Sequence, residues 1–121
     1  MNNTILVIED NELNMELFRD LLKIGKHRVL EAVDAETGIR LAREHHPDLI
    51  LMDIELPGMD GLSASRVIKK DVALADIPIV ALTSYAMSGD EKKARAAGCS
   101  GYLTKQIDTR SFLKEIDQHL K

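Results

Sequence analysis

Apolar residues fall along this chain in two rhythms. Unbroken runs at Thr4 to Ile8 (TILVI), Leu49 to Met52 (LILM) and Ile79 to Thr83 (IVALT) alternate with stretches where they recur every three or four positions. Short apolar runs bounded by turn residues suit strands buried on both faces, and the longer period suits amphipathic helices. The first run ends in Glu9-Asp10, and Asn11 caps a helix whose stripe is Leu13, Leu17, Leu21 and Ile24, with Phe18 and Leu22 beside it; Gly25 suits its end. His27 to Val33 mixes charged and apolar residues, as an edge strand does. Asp34 caps a second helix with a thin face of Ala35, Ile39 and Ala42 beside Gly38, punctuated by Pro47. The second run stops abruptly at Asp53 and is followed by Glu55 and a turn built from Pro57, Gly58 and Gly61. Leu62 to Leu74, with Leu62, Val67, Ile68 and Val72, reads as a third helix, and Pro78 opens the fourth strand. Ser88-Gly89-Asp90-Glu91 has capping-box spacing for a fourth helix whose inner face is only Ala94 and Ala97, so weak packing and mobility are expected there. Gly98 ends that helix, Gly101 to Thr104 is a short fifth strand, and a last helix from about Asp108 carries Phe112, Ile116 and Leu120 with Leu113 beside them.

Strands alternating with helices predict an α/β fold of three layers, a five-stranded parallel sheet with five helices and right-handed crossovers. The expected strand order is 2-1-3-4-5, the flavodoxin-like arrangement, which makes strands one and three neighbours at the point where the winding reverses. Glu9, Asp10 and Asp53 then meet in one crevice.

Composition narrows the setting. A chain of 121 residues is expected to be one domain, 1–121, with enough buried surface for a real core. A net charge of -4 argues against nonspecific nucleic-acid binding, which needs a basic face. The lone Cys99 fits a reducing compartment, no apolar run approaches the roughly 20 residues of a membrane span, and the amino end leaves no room for a signal peptide, so a cytoplasmic protein is expected. His27, His45, His46 and His119 lack metal spacing and read as surface histidines; Cys99 reads as a small packed residue and Glu91-Lys92-Lys93 as a solvated helix face.

Three carboxylates in one crevice repel each other, each pair at about 4 Å costing on the order of 1 kcal/mol in water and about 4 kcal/mol at a protein-like dielectric. Something positive must stand among them. Lys105, after the fifth strand, is one candidate, and a hard divalent cation is the other. Mg2+ takes oxygen ligands, so Glu9, Asp10, Asp53 and the backbone carbonyl of Glu55 would suit it, with Mn2+ as a substitute. Thr83 adds a hydroxyl to the same rim and Ser84 follows it. A nucleophilic carboxylate, a cation site, a hydroxyl and an amine are what phosphoryl transfer onto an aspartate requires.

In these residues the chain resembles the receiver domains of two-component response regulators over essentially its whole length. Glu9-Asp10 after strand one, Asp53 with the loop LPGMDG after strand three, Thr83 after strand four, and Tyr102 and Lys105 around strand five carry the resemblance. The segments IEDNELNMELFRDLL and IPIVALTSYAMSGDEKKARAAGC are similar to stand-alone receivers of the DivK type and to receivers attached to hybrid histidine kinases; Met1 and the lack of a linker favour the stand-alone form. The resemblance implies that Asp53 accepts a phosphoryl group from a phosphohistidine on a histidine kinase or histidine phosphotransfer protein. Asp10 with Glu9 would hold Mg2+, and Thr83, Ser84 and Lys105 would contact the phosphoryl oxygens. Tyr102 would switch inward with Thr83. Output would run through the face of helix four, strand five and helix five to a downstream protein effector, with phosphorylation-dependent dimerisation as a further outcome, and without nucleic acid or membrane as a partner. One position departs from the pattern: Gln106 follows Lys105 where receivers carry proline, and a cis bond there would cost about 2.5–4 kcal/mol, so a trans bond is expected. Glu55 and Tyr85 flank the path of an attacking water and are expected to slow loss of the phosphoryl group.

Other functions compete. A Mg2+-dependent aspartyl-phosphate phosphohydrolase shares an Asp after a strand, but it usually places a second Asp where Glu55 stands and uses a cap domain. A flavin carrier of the same topology lacks its stacking partners here, with 3% aromatic residues and no Trp. A receiver that has lost phosphorylation is disfavoured by the full set of rim residues.

Overall fold

The computed structural model describes residues 3–83, 90–105 and 108–120. Five strands, β1 (Thr4–Ile8), β2 (Arg28–Ala32), β3 (Leu49–Asp53), β4 (Ile79–Thr83) and β5 (Gly101–Thr104), form one parallel sheet in the order β2-β1-β3-β4-β5. Five helices, α1 (Glu12–Ile24), α2 (Ala35–His45), α3 (Gly61–Lys70), α4 (Asp90–Ala96) and α5 (Thr109–His119), make the crossovers. This is the α/β architecture and strand order expected from the alternation of patterns.

The period of two along each strand divides the core. Ile5 and Val7, Leu49 and Leu51, and Val80 and Leu82 meet α1 and α5 on one side; Leu6 and Ile8, Ile50 and Met52, and Ile79 and Ala81 meet α2, α3 and α4 on the other. Strands β3 and β4 are buried along their whole length because both faces are covered, whereas β2 at the edge leaves Arg28 and Glu31 exposed and buries only Ala32. Phe18 of α1 and Phe112 of α5 stack with centroids 6.0 Å apart and are fully buried, locking the two helices together. Truncating Phe18 to Ala should lower stability by about 3–5 kcal/mol, read as a fall in the urea midpoint with little change in slope.

Caps form where short polar residues precede the helices. Asn11, Asp34, Asp60 and Asp108 each accept a backbone N–H through the side chain. The capping box at Ser88-Gly89 lies outside the described residues, but Ala94 and Ala97 do form the buried face of the fourth helical region, and Gly98 ends it at φ 98°.

Three expectations are corrected. The buried face of α1 is Met15, Phe18, Leu21 and Leu22, while Leu13 and Ile24 are 77% and 71% exposed and Leu17 is also exposed. At 100° per residue Leu13, Leu17 and Ile24 lie roughly opposite Met15, Phe18 and Leu22, so the helix has two apolar arcs, and the stack on Phe112 selects the one bearing Phe18. The third helix stops at Lys70, capped by Asp71, and residues 71–77 turn, leaving Val72 95% exposed; Lys69 Nζ donates to the carbonyls of Ala75 and Ile77 and ties that turn down. His27 is buried, not a surface residue. Its ring lies against Gly25, where an added Cβ would stand 3.2 Å from His27 Cδ2, and its Nε2 is 3.4 Å from Asp117 of α5.

Candidate functional site

The register of the sheet brings the rim together. Ile8 pairs with Met52, Asp53 with Leu82, and Thr83 with Thr104, so Glu9 and Asp53 share a level at the carboxyl ends of their strands, with Thr83 one residue and Lys105 two residues further along. Glu9, Asp53 and Lys105 keep the parity of Val7, Leu51 and Leu103, residues of the layer that faces α1 and α5. Their positions follow from the same alternation that builds the core.

Asp53 and Glu9 are fully buried, while Asp10 is exposed at the mouth. One carboxylate oxygen from each of the three lies within 4.8 Å of the others. Lys105 Nζ donates to Asp53 Oδ2 at 2.8 Å and to Glu9 Oε2 at 3.3 Å, and Glu9 Oε1 stands 3.1 Å from the same ammonium. Asp53 Oδ1 accepts the backbone N–H of Glu55 at 2.9 Å, and Glu9 Oε2 accepts that of Asn11 at 3.0 Å. The Lys105 backbone N–H donates to the carbonyl of Thr83 at 2.7 Å, so the strand ladder continues one step past β5 and sets the base of the lysine. Lys105 thus reaches both carboxylates with Gln106 in place of proline, and the Lys105-Gln106 bond expected to be trans lies outside the described residues.

One ammonium serves two buried carboxylates. Burial pushes Glu9 up to about 7; the Asn11 N–H opposes this, the neighbouring Asp53 adds to it, and Lys105 relieves part of it. For Lys105, burial alone would lower the ammonium, but its bonds to Asp53 and Glu9 outweigh that and hold it above its ordinary value. The shortest bond goes to Asp53, and Glu9 is the group that holds a proton near neutrality. Because the folded Glu9 binds its proton more tightly than the unfolded chain, stability should fall as pH rises from the unfolded value of 4.5 through about 7. Melting in chelator should therefore move upward by several degrees as pH is lowered from about 8 to about 6, and Glu9→Gln should flatten that slope.

The donors fit a hard dication. Glu9 Oε1 is buried and makes no hydrogen bond, and the Lys105 ammonium stands 3.1 Å from it, so this oxygen keeps lone-pair capacity for a cation. Among the described residues this trio is the one group with metal-ligand spacing, and its all-oxygen, all-acid character suits Mg2+ better than zinc or copper.

Of the other residues read from the sequence, Thr83 is buried at the end of β4, and Tyr102 is half-buried against the layer of α2, α3 and α4. The Glu55 side chain is exposed. Ser84 and Tyr85 lie outside the described residues. Gly61 was read only as a turn residue, yet its Cα rests against the backbone of Asp53 and Ile54, and its N–H donates to the Ile54 carbonyl at 3.3 Å. The signal available was a glycine directly after the capping Asp60, where any other residue could start a helix. Glu12, Glu16, Arg19 and Glu31 were not read as part of the site; with Glu9 and Asp10 they line a cavity of about 380 Å3.

A doubly wound parallel sheet with a buried acid and a lysine at its switch point defines an open α/β protein whose site lies between the first and third strands. Residues 5–117 match the response regulator receiver domain family, and the chain belongs to it. It is the receiver domain of a two-component response regulator, a signalling domain. It is 43% identical over 120 residues to the polar-differentiation response regulator DivK of Brucella ovis, covering 99% of this chain and 98% of that protein, and 42% identical to DivK of Brucella anthropi over the same span. Among solved structures it is similar to the receiver domain of a sensor histidine kinase from Pseudomonas aeruginosa, with TM-score 0.89 and 32% identity over 98% of this chain and 97% of that one; that structure has a magnesium ion in its active site cleft. The chemotaxis protein CheY4 of Vibrio cholerae shares the fold, with TM-score 0.93 and 21% identity over 99% of this chain and all of that one. No helix among the described residues is long and apolar enough to cross a membrane.

Proposed function

We propose that residues 1–121 form a single receiver that takes a phosphoryl group onto Asp53 from a phosphohistidine of a histidine kinase or histidine phosphotransfer protein, and passes the signal to a protein effector. The observation that carries this is Asp53 itself: a fully buried carboxylate with Lys105 Nζ at 2.8 Å and two further acids within 4.8 Å. An Asp53 oxygen attacks phosphorus, the P–O bond forms as the P–N bond to the imidazole breaks, and the donor leaves as a neutral histidine once protonated. Glu9, Asp10, Asp53 and the Glu55 carbonyl would hold Mg2+, which supplies charge neutralisation for the incoming phosphoryl oxygens. The Lys105 ammonium, already placed on Asp53, neutralises a second part of that charge. The Glu55 N–H fixes the orientation of the Asp53 carboxylate. Thr83 and Ser84 contact the phosphoryl group, and Tyr102 turns inward as Thr83 moves, which shifts the face of α4, β5 and α5, in a cytoplasmic protein with no nucleic-acid or membrane partner.

The test is incubation with acetyl phosphate and Mg2+, followed by intact mass and released phosphate. A receiver gains a single labile phosphoryl group per chain. Phosphate released over many turnovers without that gain would assign the site to a phosphohydrolase instead. Replacing Lys105 with Ala should slow the gain by about 10²-fold or more, because the second source of neutralising charge is removed.

A further inference from the structure

The cavity of about 380 Å3 beside the acid trio is lined by Glu9, Asp10, Glu12, Glu16 and Glu31, with Arg19 as the lone cation among its lining residues. Arg19 is already spent on acids: Nη1 lies 3.2 Å and 3.4 Å from the two carboxylate oxygens of Glu31, and Nε lies 3.8 Å from Asp20. Met15 and Val33 supply the apolar part of the wall. The acids come from separated parts of the chain, Glu12 and Glu16 from successive turns of α1 and Glu31 from the end of β2. A second observation points to what the concavity serves. Glu9, fully buried, lines it, and its Oε1, 3.1 Å from the Lys105 ammonium, makes no hydrogen bond.

We propose that Glu12, Glu16 and Glu31 form an electrostatic vestibule that concentrates divalent cations at the Glu9, Asp10 and Asp53 trio. This rests on the reading of that trio as a Mg2+ site and adds residues that touch no ion themselves. A concave, one-signed wall focuses field lines and raises the local concentration of counter-ions. A cavity of about 380 Å3 is comparable in width to the screening length of about 10 Å at 0.1 M salt, so salt screens its wall only in part. The same wall disfavours free anionic phosphodonors until the dication is seated, which makes metal occupancy a precondition for approach.

Calorimetric titration of Mg2+ into the full chain tests this, with the shift in melting temperature as second readout. In low salt, Glu12→Gln with Glu16→Gln and Glu31→Gln should weaken Mg2+ binding by about tenfold, about two- to threefold for each charge removed, and the deficit should shrink to under about twofold near 0.5 M salt. Glu16→Gln alone leaves the Arg19–Glu31 pair intact and should show its share of the effect if the triple variant folds poorly. Arg19→Gln should act in the opposite direction and tighten binding about twofold. Unchanged affinity in the neutralised variants at low salt would overturn the vestibule, as would a deficit that high salt leaves undiminished, since that marks structural damage. If the unaltered chain bound no Mg2+, the magnesium reading would fail and this inference with it, and the two failures are told apart by that first titration.

Discussion

The Asp53→Asn protein, incubated with acetyl phosphate and Mg2+, is expected to keep its mass unchanged while the unaltered chain gains one phosphoryl group. An amide oxygen is a poor nucleophile, so the loss should be complete within detection, not a partial slowing. The substitution is nearly isosteric, and Asn can still accept the Glu55 N–H that now bonds Asp53 Oδ1 at 2.9 Å, so the loop after β3 should hold its path. What changes is charge. Lys105 loses its shortest partner and turns to Glu9, already 3.1 Å and 3.3 Å away. Glu9 should then ionise more readily, because the neighbouring Asp53 charge that helps raise it is gone and the ammonium is no longer shared. The pH slope of stability should accordingly be shallower in Asp53→Asn than in the unaltered chain, measured by melting in chelator. Full phosphoryl incorporation in the variant would move the acceptor to Asp10, the exposed acid of the trio, and would sink the assignment of Asp53.

Gly61→Ala is expected to cost about 2–3 kcal/mol, a fall in melting temperature of roughly 8–15 °C, and to impair phosphoryl acceptance as well. On helix propensity alone alanine would be favoured by up to about 1 kcal/mol at a helical position. Packing decides the sign. A Cβ at Gly61 would press on the Asp53 carbonyl oxygen and stand 2.7 Å from Ile54 Cα and 2.8 Å from the Asp53 carbonyl carbon. All three are main-chain atoms of the strand end that carries the acceptor, and a strand hydrogen-bonded on both sides cannot yield as a side chain can. The start of α3 must move off, which disturbs the Ser65 hydroxyl bond to the Gly61 carbonyl at 2.8 Å and drags on Asp53. Gly58 is the comparison. Its φ is +73° with nothing within 4 Å of an added Cβ, so Gly58→Ala should cost about 1–2 kcal/mol through backbone strain alone and leave the acceptor in place. Equal effects of the two substitutions on phosphorylation would contradict the claim that Gly61 positions Asp53.

Much of the site is legible in the sequence because it sits where periodicity is strongest. Asp53 ends a run that is apolar at every position, and only a strand covered on both sides has that pattern; Glu9 and Thr83 end two more. Where three such strands end is where an alternating α/β chain puts its chemistry, so the acids could be gathered from order alone. Lys105 was harder, since it follows a four-residue strand and its reach depended on a backbone bond to Thr83 that no local pattern announces. Gly61 and the vestibule acids gave still less. The first matters through a contact with residues seven and eight positions earlier, and the acids are ordinary surface glutamates until β2 is laid beside α1.

The apolar pattern, the caps and the turn residues by themselves determined that this chain makes five strands, five helices and a parallel sheet with an acid crevice at its switch point, because those follow from local geometry and the burial of both sheet faces. Only the tertiary structure decided which arc of α1 faces inward, that His27 goes under α5, where α3 stops, and which of two acids takes the larger share of one lysine. Each of those depends on what lies across a packed interface, and a side chain's neighbours in space are not encoded in its neighbours along the chain.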